Sequence, residues 1–279
     1  MKNLKNFDED CFEIYKEAVR NKDAGGKKET LSLIKPTIRL LYLDYSDKFR
    51  DNEIYNLTSH GFADEEKDYL IDLYQYKSAI IKKVKKKILD SQIITINATC
   101  QYCTLNSINT LDHFIPKGDF PEFSVNPLNL LPCCSECNAK KSKYAYNGEE
   151  SLFLNLYLDE LPEKKYLKAD FDFSNGVPIV TFDLYNPDDI EESLYRTISN
   201  HYKRLDLLER MRLKSNEVIT EIINPIKGYY RFNHDVEEIK KFLREEEIEF
   251  QEAYGFNYWK SVLRLSLIED TEFWEKYII

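Results

Sequence analysis

The sequence is poor in the features that mark fibrous, membrane and secreted proteins. Its 279 residues include only eight glycines and nine prolines, which excludes a collagen-like or linker-like chain. It has no run of 18 or more apolar residues, so no transmembrane helix is expected. Its first residues lack the apolar segment of a secretory signal, and we therefore expect a cytoplasmic protein. In a reducing cytoplasm, its six cysteines are more typical of metal ligands or free thiols than of disulfides.

An excess of positive charge is also missing. The formal net charge is −10: residues 1–146 carry 22 Lys and Arg against 21 Asp and Glu, and residues 147–279 carry 17 against 28. Because nucleic acids attract cationic surfaces, the acidic C-terminal half is a poor candidate for a DNA-binding surface. Aromatic residues are abundant instead, with 20 Tyr and 16 Phe. This apolar surface is enough for a globular core.

The hydrophobic pattern predicts three regions in a mostly helical α+β protein. Residues 1–95 show helical periodicity, and within them residues 63–90 predict one long helix with acids at its start and lysines at its end. Residues 96–148 form a compact segment rich in Cys, Pro and Asn. Residues 149–279 include, from Lys165 on, alternating apolar residues around a Ser174–Gly176 turn, which predict a β-hairpin. The helical pattern that follows is expected to be interrupted at Asn224-Pro225.

Two Cys-x-x-Cys pairs, 30 residues apart, predict a structural zinc site in the central segment. Four thiolates complete the tetrahedral coordination of zinc, and the short spacing places two sulfurs on one side of the metal. Four unrelated buried thiols would not explain two identical spacings. Cys133 adjoins the second pair without keeping its spacing, and Cys11 is interpreted as a small core residue. The predicted ligands are Cys100, Cys103, Cys134 and Cys137.

Polar residues alternate with these pairs along the chain. Asp112-His113-x-x-Pro116 lies between the pairs, Asn129-Leu130 precedes the second pair, and Asn138-x-x-Lys141 follows it. In this order, the segment from Cys100 to Tyr146 resembles the HNH endonuclease family. The resemblance implies a central zinc-bound ββα-metal module that cleaves phosphodiester bonds in DNA, with catalytic roles at positions 112, 113, 129 and 138. An asparagine stands at position 138, where the motif that names the family has a second histidine.

The chemistry of phosphodiester hydrolysis is consistent with these residues. The reaction needs an activated water, a cation on the phosphate and stabilisation of the leaving oxyanion. His113 can accept a proton from water near neutral pH. Asp112 and Asn138 offer hard oxygen ligands to a catalytic Mg²⁺ or Mn²⁺. Asn129, or alternatively Asn126, can orient the imidazole through a hydrogen bond.

The geometry of a β-strand sets a condition on this site. Side chains of adjacent strand residues point to opposite faces, so Asp112 and His113 can both serve the site only at a strand end or a kink. Lys141 lies one helical turn after Asn138 and is predicted to contact a phosphate, with Lys117 and Lys140 as further substrate-binding residues. The lysine run at residues 82–87 is either an exposed helix end or a strip that follows the phosphate backbone.

The order of the regions also resembles the HNH nuclease subunit of Septu-type anti-phage systems. This resemblance implies a partner ATPase, and an acidic nuclease that binds DNA weakly would gain recruitment from such a partner. The alternative function is a zinc ribbon that binds nucleic acid or protein without catalysis. The family favours DNA, but the residues themselves leave RNA and the oligomeric state open.

Overall fold

The structure of the protein is a computed structural model that describes residues 1–174, 178–186 and 189–279. The described residues are mostly helical and contain two small antiparallel hairpins, so the predicted mainly helical α+β class is confirmed. None of the helices in these ranges is long and apolar enough to cross a membrane. The strands are β1 (Thr110–His113), β2 (Leu130–Cys133), β3 (Leu167–Asp172) and β4 (Ile179–Leu184). The helices are α1 (Cys11–Arg20), α2 (Gly26–Leu33), α3 (Lys35–Arg50), α4 (Asp64–Asp72), α5 (Ala79–Asp90), α6 (Ile94–Asn97), α7 (Ser135–Lys141), α8 (Glu192–Arg204), α9 (Leu207–Phe232), α10 (Val236–Tyr254), α11 (Trp259–Glu269) and α12 (Thr271–Tyr277).

The chain divides into two compact units. One contains Asn3–Tyr102 and Asn106–Glu160, and the other contains Leu161–Ile279 with the short segments Met1–Lys2 and Cys103–Leu105. The first unit holds α1 to α7 and the β1–β2 hairpin, so it groups the N-terminal helices with the predicted central module. The finer division of the chain at residues 95 and 148 stays a prediction.

Residues 63–90 form two helices, which corrects the single long helix predicted from the pattern. Helix α4 ends at Asp72, and Ser78 starts α5 by accepting a hydrogen bond from the Ile81 amide through its hydroxyl oxygen at 3.4 Å. In the intervening turn, the Tyr74 hydroxyl donates to the Leu111 carbonyl oxygen in β1 at 3.2 Å. This long-range contact accompanies the helix break, and helical periodicity carries no information about it.

The C-terminal helices differ from the prediction at one proline. Helix α9 continues through Pro225 to Phe232, so the expected interruption at Asn224-Pro225 is wrong. Proline costs a helix interior about 3 kcal/mol. Here Ile222 and Ile226 are both buried on either side of it, and this apolar burial offsets the cost.

The hairpin predicted after residue 164 is confirmed. Strands β3 and β4 pair in antiparallel register from Leu167–Leu184 to Asp172–Ile179. Its alternate residues, Leu167 and Ala169 among them, are buried, as the period of two predicts. Of the predicted turn, Asn175 and Gly176 lie outside the described residues.

Candidate functional site

The four predicted zinc ligands lie together in a buried cluster. Their sulfur atoms are all within 4.8 Å of one another. Zinc–sulfur bonds of about 2.3 Å in a tetrahedron separate the sulfurs by about 3.8 Å, so the cluster could bind a zinc ion with little adjustment. The ligands are Cys100, Cys103, Cys134 and Cys137. Cys11 and Cys133 are also buried but do not belong to the cluster.

Backbone amides support the sulfur atoms on each side of the cluster. The Leu105 amide donates to Cys103 Sγ at 3.4 Å, directly after Thr104, which adopts the left-handed conformation with φ 54°. The Cys137 amide donates to Cys134 Sγ at 3.5 Å, where Cys134 caps the start of α7. Hydrogen bonds donated to sulfur favour the thiolate, which is the form that binds zinc.

Strand β1 distributes the predicted site residues over its two faces. Asp112 lies on the side of α7, where Lys141 contacts its carboxylate, and Asn138 Nδ2 donates to Thr110 Oγ1 at 3.5 Å on the same side. His113, the last residue of β1, contacts different neighbours and lies on the other face. The structure therefore groups Asp112 with Asn138 on the α7 side of β1, while the imidazole, at the end of the strand, has contacts of its own.

The Asp112 carboxylate forms a buried ion pair. Asp112 is 2 % exposed, and the ammonium of the fully buried Lys141 lies 3.0 Å from its Oδ2. The Tyr102 hydroxyl donates to the same oxygen at 3.1 Å. Burial raises the pKa of Asp112, while Lys141 and Tyr102 act in the opposite direction.

Lys141 has an internal position, which corrects the predicted contact with a substrate phosphate. Besides the Asp112 carboxylate, its ammonium donates to the carbonyl oxygens of His113 at 3.0 Å and Phe114 at 3.2 Å. Three oxygen acceptors thus hold a side chain that exposes none of its surface. Sequence spacing places Lys141 on the same helix face as Asn138, but that face packs against β1.

The oxygen atoms of Asp112 and Asn138 fit a hard divalent cation in their chemistry. Asn138 uses its amide nitrogen for Thr110, which leaves its carbonyl oxygen as the ligand atom. The Asp112 carboxylate already has a cationic partner in Lys141. A divalent ion at Asp112 would therefore displace the Lys141 ammonium or bind the carboxylate beside it.

His113 is held by one hydrogen bond and one aromatic contact. Its Nε2 lies 2.8 Å from the Ser124 carbonyl oxygen. The ring of Tyr74 meets the imidazole edge to face, with centroids 4.4 Å apart and planes at 72°. A carbonyl only accepts hydrogen bonds, so Nε2 carries the proton and the lone pair of the neutral imidazole is on Nδ1. Burial lowers the pKa of His113 to about 3, which keeps the ring neutral at pH 7.

Asn129 is fully buried and bonds to backbone instead of to the imidazole. Its Oδ1 accepts from the Ile115 amide at 2.7 Å, and its Nδ2 donates to the carbonyl oxygens of Ile115 at 2.9 Å and Phe123 at 3.3 Å. The expected hydrogen bond between Asn129 and His113 is therefore corrected, because the Ser124 carbonyl takes that position. Asn129 fixes the chain that leaves β1 to the segment that carries Ser124.

The remaining predicted substrate lysines lie in two different environments. Lys140 is exposed on α7. Lys117 is half-buried, and its ammonium lies over the Tyr74 ring, 4.8 Å from the centroid. Burial lowers the pKa of Lys117. Through Tyr74, Lys117 belongs to the surroundings of His113.

The lysine run on α5 is paired with acids of its own unit. Lys83 forms an ion pair with Glu17, Lys86 with Asp90 and Lys87 with Glu9. These pairs favour the exposed helix end over a strip that follows phosphates. Asn126, the alternative orienting residue, accepts a hydrogen bond from the Leu128 amide and caps a short turn of 3₁₀ helix.

Sequence reasoning missed Ser124, Tyr74 and Tyr102. Ser124 acts through its main-chain carbonyl, which no side-chain motif reveals. Tyr74 lies in a stretch whose pattern predicts a helix interior, and Tyr102 stands between two cysteines whose spacing draws attention to the metal. Only the folded chain shows that they contact His113 and Asp112.

Comparison with known proteins gives two partial likenesses. The chain is 25% identical to Protein ea31 of Escherichia phage lambda over 215 residues, which are 72% of this chain and 72% of that protein. It is 38% identical to Septu protein PtuB of Bacillus thuringiensis over 53 residues, which are 17% of this chain and 21% of that protein. No family model and no solved structure matches the chain. The segment that matches PtuB, 53 residues, is about as long as one small module.

Proposed function

We propose that the protein is a metal-dependent HNH-type endonuclease that hydrolyses phosphodiester bonds in DNA. The observation that carries the proposal is the neutral imidazole of His113, fixed at the end of β1 in a strand–strand–helix segment that also holds the cysteine cluster. The partial likeness to an HNH-containing Septu protein supports the same function and suggests a role in anti-phage defence.

In this proposal, His113 is the general base. Nδ1 accepts a proton from the attacking water, while the Nε2 hydrogen bond to the Ser124 carbonyl keeps the ring in one tautomer and one orientation. A phosphate anion near the ring favours the imidazolium and raises the pKa of His113 toward the range that a base needs at neutral pH. Lys117 is the predicted substrate lysine best placed to add positive charge here.

The two metals have separate roles in the proposal. Asn138 and Asp112 would hold Mg²⁺ or Mn²⁺, and such an ion would supply positive charge for the scissile phosphate and the leaving oxyanion. Zinc in the cysteine cluster would be structural, because four thiolates leave it no open position. Asn129 would contribute by fixing the backbone around His113.

Plasmid nicking with Mg²⁺, Mn²⁺ or a chelator tests this function. We expect the wild-type protein to nick DNA with either metal, and His113→Ala to lose nicking while it keeps its fold and zinc content. His60→Ala is the matched control, because His60 is an exposed histidine of the same unit. Equal nicking by His113→Ala and the wild type would contradict the proposal. So would a wild-type protein that cuts nothing with any metal, alone or with the products of neighbouring genes.

One observation favours a second candidate, a zinc ribbon that binds nucleic acid or protein without cutting it. The Asp112 carboxylate is closed off by Lys141 and Tyr102 and lies on the opposite face of β1 from His113. A binding module would require no access to that carboxylate. In the nicking experiment, this candidate predicts equal DNA binding by the wild type and His113→Ala, and cleavage by neither.

A further inference from the structure

We propose that Tyr74 is a positioning residue for His113, and that the end of α4 is therefore part of the catalytic site. The inference rests on the proposed nuclease function, because the orientation of His113 matters only if its imidazole acts on a substrate. It assigns a role in that site to the helical region that precedes the cysteine-containing segment.

The contact itself is close and specific in its geometry. The ring centroids of Tyr74 and His113 are 4.4 Å apart with planes at 72°, an edge-to-face arrangement. The Tyr74 hydroxyl donates to the Leu111 carbonyl oxygen at 3.2 Å, two residues before His113 on the same strand. One tyrosine thus contacts both the imidazole and the backbone of the strand that carries it.

The hydrogen bond at Nε2 cannot fix the imidazole alone. A ring held at one nitrogen can still tilt about the line from that nitrogen to the Ser124 carbonyl oxygen. The Tyr74 ring lies against the imidazole and blocks that tilt. Since Nδ1 must point at a water in line with the phosphorus, a fixed tilt is what the reaction requires.

The two groups that contact the imidazole, the Ser124 carbonyl and the Tyr74 ring, belong to residues that are bonded to the end of α4. The Ser124 hydroxyl donates to the carbonyl oxygen of Leu70 in the last turns of α4. The Tyr74 amide donates to the carbonyl oxygen of Ile71 in the same turns at 3.1 Å. The end of α4 therefore sets the position of the Ser124 carbonyl and of the Tyr74 ring together.

Lys117 completes the arrangement on the Tyr74 ring. Its ammonium lies over that ring, 4.8 Å from the centroid. The Tyr74 ring thus contacts both the imidazole, edge to face, and a cation. The only aromatic ring that contacts His113 in the described part of the chain is thus also the ring that holds a predicted phosphate-binding lysine.

The test compares two tyrosines from the same turn. Tyr74→Leu removes the ring contact, Tyr74→Phe keeps the ring and removes the hydroxyl, and Tyr76→Leu is the matched control. Tyr76 bonds to the Asn109 carbonyl oxygen and to Lys85, with no contact to the imidazole. In the nicking assay, we expect Tyr74→Leu to lower kcat by about 10- to 100-fold with little change in KM. Tyr74→Phe and Tyr76→Leu should stay within about threefold of the wild type.

The possible outcomes separate this inference from the proposed function. A wild-type protein that does not nick DNA defeats the proposed function and this inference with it. An active wild type with a folded Tyr74→Leu variant as active as Tyr76→Leu overturns the inference alone. If Tyr74→Leu does not fold, the wild-type protein labelled at His and Tyr gives the answer by NMR. Nuclear Overhauser contacts between the Tyr74 ring and the His113 imidazole, with Tyr74→Phe active, support the inference, and their absence overturns it.

Discussion

The imidazole of His113 has cations rather than acids as its charged neighbours. Burial is the main reason that its pKa falls to about 3, and the ammonium groups of Lys117 and Lys141 lower it further, while the hydrogen bond to Ser124 acts in the opposite direction. Lys141 also bonds to the His113 carbonyl oxygen, so one lysine connects the Asp112 carboxylate to the backbone of His113. In the proposed reaction, a base without a carboxylate partner becomes strong only when an anion binds nearby, so proton transfer would depend on phosphate binding.

Acid pH is expected to destabilise the wild type more than His113→Gln. Between the ordinary histidine pKa of 6.5 and the folded value of about 3, the unfolded chain binds a proton that the folded chain does not. The stability that depends on neutral His113 is therefore complete above pH 6.5 and is lost as the pH falls toward 3. Urea unfolding at pH 7.5, 6.5 and 5.5, with excess zinc, measures the difference. The difference in the free energy of unfolding between the two proteins should change by up to about 1.4 kcal/mol per pH unit below 6.5. A difference that stays constant would contradict the low pKa of His113.

The ion pair of Asp112 and Lys141 makes a second prediction at this scale. Lys141→Met leaves a buried carboxylate without its cation, and we expect it to lower the free energy of unfolding by about 3–5 kcal/mol. The double variant with Asp112→Asn should lose less, because it removes the unpaired charge. Lys140→Met, the exposed neighbour, is the control and should change stability by about 0.5 kcal/mol or less. Denaturant titrations that show Lys141→Met and Lys140→Met to be equal would refute a structural role for the pair.

At the scale of elements, the cysteine cluster joins the turn at Cys100–Cys103 to the start of α7. We expect about one zinc atom per wild-type chain, and its loss together with cooperative unfolding of the segment in Cys137→Ser. Cys133→Ala is the matched control, because Cys133 is buried in β2, one residue from the cluster. Elemental analysis after gel filtration gives the zinc content. Equal zinc in the two variants, or none in the wild type, would show that the cluster is not a zinc site.

Local rules predicted the parts of the fold that depend on neighbouring residues. The spacing of the cysteine pairs identified the cluster, and the period of two identified β3 and β4, because both signals lie within a few residues of sequence. The break before α5 and the passage of α9 through Pro225 depend on tertiary packing, which outweighs propensity. The site follows the same division. The motif drew attention to His113 as a candidate, whereas its contacts with Ser124 and Tyr74 come from segments that are distant in sequence.

The whole molecule has an unusual charge for a protein that is proposed to cut DNA. The net charge of −10 is concentrated in residues 147–279, which contain 28 acidic and 17 basic residues. The lysines of α5 do not compensate, because several pair with Glu9, Glu17 and Asp90. Since electrostatic attraction supplies most non-specific affinity for DNA, the isolated chain should bind DNA weakly. Recruitment by a partner protein, such as an ATPase, would remove this disadvantage.

This reasoning predicts how nicking depends on salt and on the partner. With the few cations near His113 as its DNA contacts, the isolated chain should nick plasmid slowly at 50 mM salt and about 10-fold more slowly at 200 mM. Addition of the proteins encoded by neighbouring genes should restore nicking at 200 mM, because recruitment then no longer depends on the charge of this chain. His113→Ala with the same additions is the control that assigns the cuts to this protein. Rapid nicking by the isolated chain at 200 mM salt would show instead that its own surface binds DNA well, and the partner would then have no recruiting role.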